Sequence, residues 1–450
     1  RVTPPRLRGR RRTAPESTTE LSRSRTPSHS VTLGLDPLLS GLKMWTGCMA
    51  LILLVTKRLA TNWTQERTNT MRHENSVFHQ LTKQIPWSVF ERSVTSHGSD
   101  RRVRRLRTRD QFLSLLYGQL SGAVSLREIA DGLRSQEARL YHAGLRSVSR
   151  STLADANARR PFAVYADVFA EMVRLARPGL RRKLREAIRL IDATTVKLPG
   201  MSAPWARFSD AFCGAKVHVV YDPHDRVPLR AVVTPGNVND ITPARTMPIE
   251  PGATYVFDLG YYSYEWWADL HAAGCRFVTR LKTHTTVAVE TENAVLPGTG
   301  ILSDRTGHLP KRLKATRRNP FTAPVREITI IIDNGKVLRL VTNDLAAPAD
   351  EIADLYKQRW DIELFFKWIK QNLKIKRFLG TSENAVKIQV YVALIAFLLL
   401  RAAHNAQDAI KRPQAFARIV RLNIMHRKRI DTLLKPTISP QSQLPQLSFL

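Results

Sequence analysis

The chain has 450 residues, 43% of them hydrophobic, enough to bury two or three globular cores and too apolar for a disordered basic tail. Its 70 Lys and Arg against 38 Asp and Glu leave a net charge of +32, which favours polyanionic partners such as nucleic acid without naming a reaction. Three scattered cysteines, Cys48, Cys213 and Cys275, form no Cys-x-x-Cys pair and argue against a disulfide framework or structural zinc site, as suits a reducing cytoplasm.

Residues 1 to 70 carry six Arg in the first twelve positions and then Ser, Thr and Pro without periodicity. They read as disordered or as upstream read-through, with translation expected to start at Met71; an intact mass from the native gene that included them would refute that start. The apolar run Ala50 to Val55, flanked by Lys43, Lys57 and Arg58, is too short to span a bilayer and too far along to be a signal peptide.

From Met71 to about residue 176 the texture is that of a basic helical domain. Helical spacing links Phe78, Leu81 and Ile85, and again Phe112, Leu113, Leu116 and Leu120, with a run of arginines from Arg101 to Arg109 between them. Ser125 with Glu128 forms a capping box before Leu126–Leu133, and Ser149 offers a cap for a helix through Leu153 and Ala156. A DNA-reading helix pair with Arg150, Arg159 and Arg160 near phosphates fits this segment, and so does a packing helix with a solvated arginine face.

Pro178 and Gly179 punctuate the next boundary, after which the pattern becomes α/β. Strands are expected at 187–196, 216–221, 228–234, 254–257 and 276–281, with helices at 241–247 and 264–273. His218, between Val217 and Val219, reads as a strand residue. From about 283 to 344 short β segments dominate, two of them joined by the hairpin signal Asp333-Asn334-Gly335-Lys336, which makes this stretch a β-rich insertion. Helix returns from Ala349 to Leu373 and again over the apolar Ala385 to Leu400; residues 405–450 form a C-terminal helical segment and tail.

Cutting and rejoining phosphodiesters with divalent metals needs hard oxygen ligands converging from separate elements. Asp192 lies inside the apolar run Leu190-Ile191-Asp192-Ala193-Thr194, where a charge is costly unless it binds something. Asp258 closes Tyr255-Val256-Phe257, where a strand end can open onto a site or the carboxylate can cap a turn. Asp240 precedes a helix and reads as its N-cap. On a helix over 349–373, Tyr356, Arg359, Glu363 and Lys370 fall at about 0°, −60°, −20° and −40°, one narrow stripe, joined by Lys367 and Lys374 at about 20° and 0°. A solvated face held by a Glu363–Lys367 pair would explain the stripe as well as a site would.

The spacing Tyr356-x-x-Arg359-x-x-x-Glu363-x-x-x-x-x-x-Lys370 resembles the Tyr-Arg-Glu-Lys signature of the insertion-sequence-four family of transposases. Around Asp192 and in Asp258-Leu259-Gly260-Tyr261 the chain resembles that family's two acidic motifs. Met71-Arg72-His73-Glu74-Asn75-Ser76 and Tyr117-Gly118-Gln119-Leu120-Ser121-Gly122 look like the amino-terminal domain of one branch. The similarity covers about residues 71 to 450.

It implies a ribonuclease H-like α/β core over 180–404, interrupted by the β-rich insertion and preceded by the helical DNA-binding domain. Asp192, Asp258 and Glu363 would be catalytic and hold two divalent ions, magnesium or manganese. Tyr356, Arg359 and Lys370, with Lys367, Lys374 and Arg150, would contact DNA. The implied chemistry is nicking, attack of the freed 3′-hydroxyl to form a hairpin, hairpin opening and strand transfer. Its partners would be terminal inverted repeats and target DNA, met by a dimer assembled on DNA in the bacterial cytoplasm at the nucleoid, with no membrane. Some relatives place a Trp from the insertion against the flipped base; Lys282 to Asp344 here contains no Trp, and Phe321 is its one aromatic. A nuclease of the same fold and an inactive DNA-binding relic are the competing readings.

Overall fold

The computed structural model describes residues 75–177, 187–209, 212–295, 297–314, 317–332, 335–373, 375 and 378–433. The arginine-rich start, the apolar run at 50–55, Met71, the Pro178-Gly179 boundary and Lys374 lie outside them.

Helices come first: α1 (Val77–Thr82), α2 (Trp87–Ser96), α3 (Thr108–Ser121), α4 (Leu126–Ser135), α5 (Glu137–Ala143), α6 (Arg150–Arg159) and α7 (Ala163–Ala176). The hydroxyls of Ser76, Ser125 and Ser149 each accept from the backbone N–H three residues on, starting α1, α4 and α6. Glu128 answers by accepting from Val124 N–H at 2.9 Å, so the capping box closes one residue further out than its usual form. α5 has no side-chain cap and is not anticipated from the sequence. Along the buried α3, a Cβ at Gly118 would stand 2.3 Å from Ile129 Cδ1 and 2.6 Å from its Cγ1; only a residue without a side chain lets α4 approach this closely.

The α/β part runs β1 (Ile188–Leu198), β2 (Arg207–Ser209), β3 (Phe212–Asp222), β4 (Val227–Pro235), α8 (Ile241–Thr246), β5 (Thr254–Phe257), α9 (Tyr264–Ala272) and β6 (Arg276–Arg280). It continues through β7 (Ala288–Glu292), β8 (Ile301–His308), β9 (Arg312–Lys314), β10 (Arg317–Arg318), β11 (Val325–Ile331) and β12 (Val337–Thr342). Ten strands form one mixed sheet in the order β2-β3-β1-β5-β6-β12-β11-β8-β7, with β4 on β3. β1, β5 and β6 are mutually parallel, while β3 runs antiparallel to both β1 and β4. The strands of the insertion do not stand apart: β12 pairs antiparallel with β6, so the central sheet extends directly into β12, β11, β8 and β7. β11 and β12 are the hairpin signalled around Gly335, with Ile331 opposite Val337.

One face of this sheet closes on α9 through Ile191, Tyr255, Phe257, Trp266, Trp267 and Phe277. The rings interlock at 4.9 Å between Phe257 and Trp266 and 5.0 Å between Trp267 and Phe277, each aromatic contributing roughly 2–3 kcal/mol of burial. Within this layer Arg189, 1% exposed, makes two 2.8 Å bonds to Glu250 and one of 2.9 Å to Asp222. It ties β1 to the end of β3 and to the segment leading into β5.

The expected single helix over 349–373 is two helices, α10 (Ala349–Lys357) and α11 (Trp360–Asn372). At the break Arg359 N–H donates to Tyr356 O and Asp361 N–H to Gln358 O, both i to i−3 bonds. Gln358 and Arg359 nevertheless keep right-handed helical backbone, and Arg359 meets Glu363 as an i, i+4 pair, so the side chains on either side of the break still meet. No Gly or Pro marks the position; the two halves pack on different strands, α10 against β5, β6, β8 and β11, α11 against β1. Side chains of Gln119 and Arg421 hold the carbonyls of Leu373 and Asn372 at the end of α11.

α12 (Glu383–Asn405) outlasts the apolar run from which it was expected, and α13 (Pro413–Leu422) packs beside it. Among the described residues α12 is long and apolar enough to cross a membrane, but most of it is buried in the protein, against α3, α6 and α7.

The close approach at Gly118 is testable. In an exposed helix Gly→Ala adds about 1 kcal/mol of stability. Gly118→Ala is instead expected to cost about 1–3 kcal/mol in urea denaturation, because Ile129 must be displaced; a gain would show that α3 and α4 do not pack this tightly.

Candidate active site

Parallel pairing of β1 with β5 fixes the first two acids. Its last paired residues are Ile191 and Phe257, both facing the aromatic layer, so the next residues, Asp192 and Asp258, stand level on adjacent strands and on the opposite face. Asp192 Oδ1 accepts from Ala193 N–H at 2.7 Å, and Asp258 Oδ1 accepts from Gly260 N–H at 2.8 Å as it caps a turn. Burial, reinforced by the charges of Asp258 and Glu363, pushes the Asp192 carboxyl up to about 7, against the opposing pull of Ala193 N–H and Arg359.

Glu363 approaches from the first turn of α11. Its Oε1 lies 2.6 Å from Arg359 Nη1, and the same nitrogen is 3.9 Å from Asp192 Oδ2. The partner of Glu363 is thus Arg359, not Lys367 as helical spacing suggested. Lys367 and Lys370 line the same cleft as Asp192 and Glu363, about 410 Å³ in volume. Tyr356 is 7% exposed, with Arg359 5.8 Å from its ring centre and burial raising its hydroxyl pKa. The exposed aromatic is Trp360, 59% accessible and 5.6 Å from the same guanidinium, which sequence reasoning passed over for want of any pattern to mark it.

Behind Asp258 lies a polar cluster not foreseen from sequence. Asp240 does not cap α8: its backbone is already helical and its side chain makes no capping bond. It turns instead to Lys216 Nζ at 2.9 Å and lies 3.9 Å from the Nδ1 of His218, whose Nε2 is 2.8 Å from Thr234 Oγ1. His218, read from sequence as a plain strand residue, is fully buried, and burial with the Lys216 charge depresses its pKa to about 4 despite Asp240. A Cβ at Gly260 would stand 2.9 Å from Asp240 Oδ2 and 3.0 Å from Asp258 Oδ1, so glycine alone fits between the two carboxylates. The buried Tyr261 hydroxyl, without a hydrogen-bond partner, feels the charges of Asp192, Asp240 and Asp258.

Arg150 is elsewhere, on an exposed part of α6, and Arg160 is not available to phosphates: it is buried, donating to Gln111 Oε1 at 2.9 Å and to Leu106 O. Among the described residues no three His, Cys, Asp or Glu side chains form a ready-made metal cage. The acids nevertheless suit a hard divalent cation. All are carboxylates, burial and then the neighbouring acidic charges raise the Asp192 pKa, and the cation now near Asp192 and Glu363 is the Arg359 guanidinium.

His218 gives a pH signature. With a folded pKa near 4 and an unfolded value near 6.5, the unfolded state takes the proton first, so stability present above pH 6.5 is lost as pH falls towards 4. The melting temperature of wild type is expected to fall over that window more steeply than that of His218→Gln, a difference of roughly 2–3 kcal/mol at pH 4.5. Parallel curves would mean His218 is not held neutral.

Comparison with known proteins shows the family. A family model described as a transposase DDE domain matches residues 183–399, and one described as a domain of unknown function matches residues 73–146. A Sinorhizobium fredii protein named as a transposase, y4zB, is 38% identical over 307 residues, 67% of this chain and 85% of its own length. The protein named for transposition of element IS5377 in Geobacillus stearothermophilus is 31% identical, over 57% of this chain and 68% of its own. The IS231E transposase of Bacillus thuringiensis is 24% identical over 48% and 55%. A cryo-EM structure of a piggyBac transposase synaptic complex with hairpin DNA covers 82% of this chain and 81% of its own at 10% identity, with a TM-score of 0.40, too loose to argue from. The chain belongs to the DDE transposases of the insertion-sequence-four family.

Proposed function

We propose that this DNA transposase cuts the ends of its own insertion sequence and joins them to target DNA, with Asp192, Asp258 and Glu363 holding two divalent ions, magnesium or manganese. The observation that carries the reading is the register of β1 and β5, which leaves Asp192 and Asp258 level, together with Arg359 reaching both Asp192 and Glu363. Such ions would polarise the scissile phosphate and strengthen water or a 3′-hydroxyl as nucleophile. Water attack frees a 3′-hydroxyl at the element's end; that oxygen then bonds to a phosphorus of the opposite strand or the target, expelling the oxygen beyond it.

The chain's own residues supply the rest of the site. Lys367 and Lys370 face phosphates across the cleft, Arg359 moves between carboxylate and phosphate as DNA arrives, and the exposed Trp360 offers ring surface to a displaced base, with the buried Tyr356 beside Arg359.

The order β4-β3-β1-β5-β6, with β1, β5 and β6 parallel, supports a ribonuclease H-like core within residues 180–404, the β-rich insertion at about 283–344 continuing its sheet. Residues 71–176 would be the DNA-binding helices and 405–450 a C-terminal segment. Two copies would pair the terminal repeats on DNA, in the bacterial cytoplasm at the nucleoid.

The test is magnesium-dependent processing of linear DNA carrying the element's ends, with transfer into a target plasmid. Glu363→Gln and Asp192→Asn should bind the ends but lose cleavage at least 10³-fold, about 4 kcal/mol of transition-state stabilisation. Cleavage surviving in both variants would remove these carboxylates from the chemistry, and cleavage without transfer would make the protein a nuclease.

A further inference from the structure

The Arg359 guanidinium stands where a cation shared by Asp192 and Glu363 would stand. Its Nη1 is 2.6 Å from Glu363 Oε1 and 3.9 Å from Asp192 Oδ2. The other Asp192 oxygen, Oδ1, already accepts from Ala193 N–H at 2.7 Å. A small divalent ion takes carboxylate oxygens at about 2.1 Å, closer than Nη1 approaches either acid. Ion and guanidinium therefore do not fit between Asp192 and Glu363 together, and their like charges repel at any separation the site allows.

Arg359 is also held there incompletely. Its Nε is buried and has no hydrogen-bond partner, a cost that an anion accepting from Nε would remove. The ring centres of Tyr356 and Trp360 lie 5.8 and 5.6 Å from its central carbon, so the cation keeps a π surface beside it whether or not it bonds Glu363. The contact to Glu363 is thus one that an arriving anion can exchange for a better one.

We propose that Arg359 is a tethered competitor for the cation position between Asp192 and Glu363, and that this position fills only when a phosphate draws the guanidinium away. The inference rests on the function proposed above, in which that phosphate belongs to the end of the element. A chain of net charge +32 meets DNA of any sequence, and an ion site complete beforehand would expose all of that DNA to cleavage. With Arg359 in place, only DNA seated deeply enough to reach it completes the site. Linkage makes the coupling reciprocal: the factor by which DNA tightens the ion is the factor by which the ion tightens DNA.

The experiment follows Mn²⁺ binding to the full chain through the electron paramagnetic resonance signal of the free ion. It is run on the protein alone and with a saturating duplex that already ends at the element's terminus, so that no cleavage is needed, after subtraction of ions held by the duplex itself. Glu363→Gln, which removes one wall of the position, subtracts any ion held by Asp192 and Asp258 without it. For the remaining ion, the duplex should tighten wild-type binding at least about tenfold. Arg359→Gln without DNA should bind it at least about tenfold more tightly than wild type, and the duplex should then change its affinity less than about threefold. Lys367→Gln, which removes the same charge from an exposed residue of the same cleft, is the control and should shift the affinity less than about threefold.

If Arg359→Gln binds Mn²⁺ no more tightly than wild type or Lys367→Gln, the guanidinium does not compete and the inference is overturned. A wild-type affinity unchanged by the duplex overturns it equally, with no variant required to fold. In either case the proposed function stands if Glu363→Gln binds the ends and fails to cut. If neither wild type nor Arg359→Gln binds Mn²⁺, with or without the duplex, the carboxylates hold no ion and the proposed function falls together with the inference.

Discussion

Carboxylates gathered at one half-buried place repel one another, and Arg359 is the interaction that makes the gathering tolerable in the protein alone. Its guanidinium reaches Glu363 at 2.6 Å and Asp192 at 3.9 Å from the break between α10 and α11. Although the helix is interrupted just before it, Arg359 keeps helical backbone and meets Glu363 as an i, i+4 pair beside the strand acids. The compensation is partial: burial still holds the Asp192 carboxyl far above the ordinary aspartate range. That residual cost is what makes the site receptive to an additional cation.

The strand acids are level only while β1 and β5 keep their register, and the opposite face of the sheet secures that. Arg189 clamps Glu250 and Asp222 in a buried three-way pair, fixing β1 to β3 and to the approach of β5. Removing any one member would leave a buried charge uncompensated, so the network enforces one register even if its net contribution to stability is small. A slip of one residue would turn Asp192 into the aromatic layer and Ile191 out of it, which both the burial of charge and the loss of packing forbid. Asp240, clamped by Lys216 behind Gly260, constrains the Asp258 turn in the same way.

The β-strands that carry the acids were legible because short apolar runs flank the acids: β5 is the Thr254–Phe257 segment expected, and β1 differs by one or two residues at its ends. Three things were not legible, each for a tertiary reason. The break at Gln358 and Arg359 has no Gly or Pro because separate packing surfaces cause it. Asp240 has the sequence context of an N-cap, but Lys216, twenty-four residues earlier, claims its side chain. Arg160 looks like one more surface arginine, whereas Gln111 and Leu106, about fifty residues before it, bury it. In the other direction, Gly118 and Gln119 in the motif Tyr117–Gly122 were legible only as a resemblance, and the structure supplies their physical reasons: close approach to Ile129, and a bond to the carbonyl of Leu373.

That last bond joins the helical layer to the carboxylate site. α3 contributes Gln119 to the end of α11, the helix of Glu363, and Gln111, eight residues earlier on α3, orients Asn157 on α6. α12, which packs on α3, α6 and α7, carries Asn384 and anchors Leu379 through Gln389, so the amino-terminal helices and those around the carboxylates share one buried scaffold. Packed interiors deform little, so a displacement of α3 would reach Glu363 as a shift of α11 as a whole rather than of a single side chain.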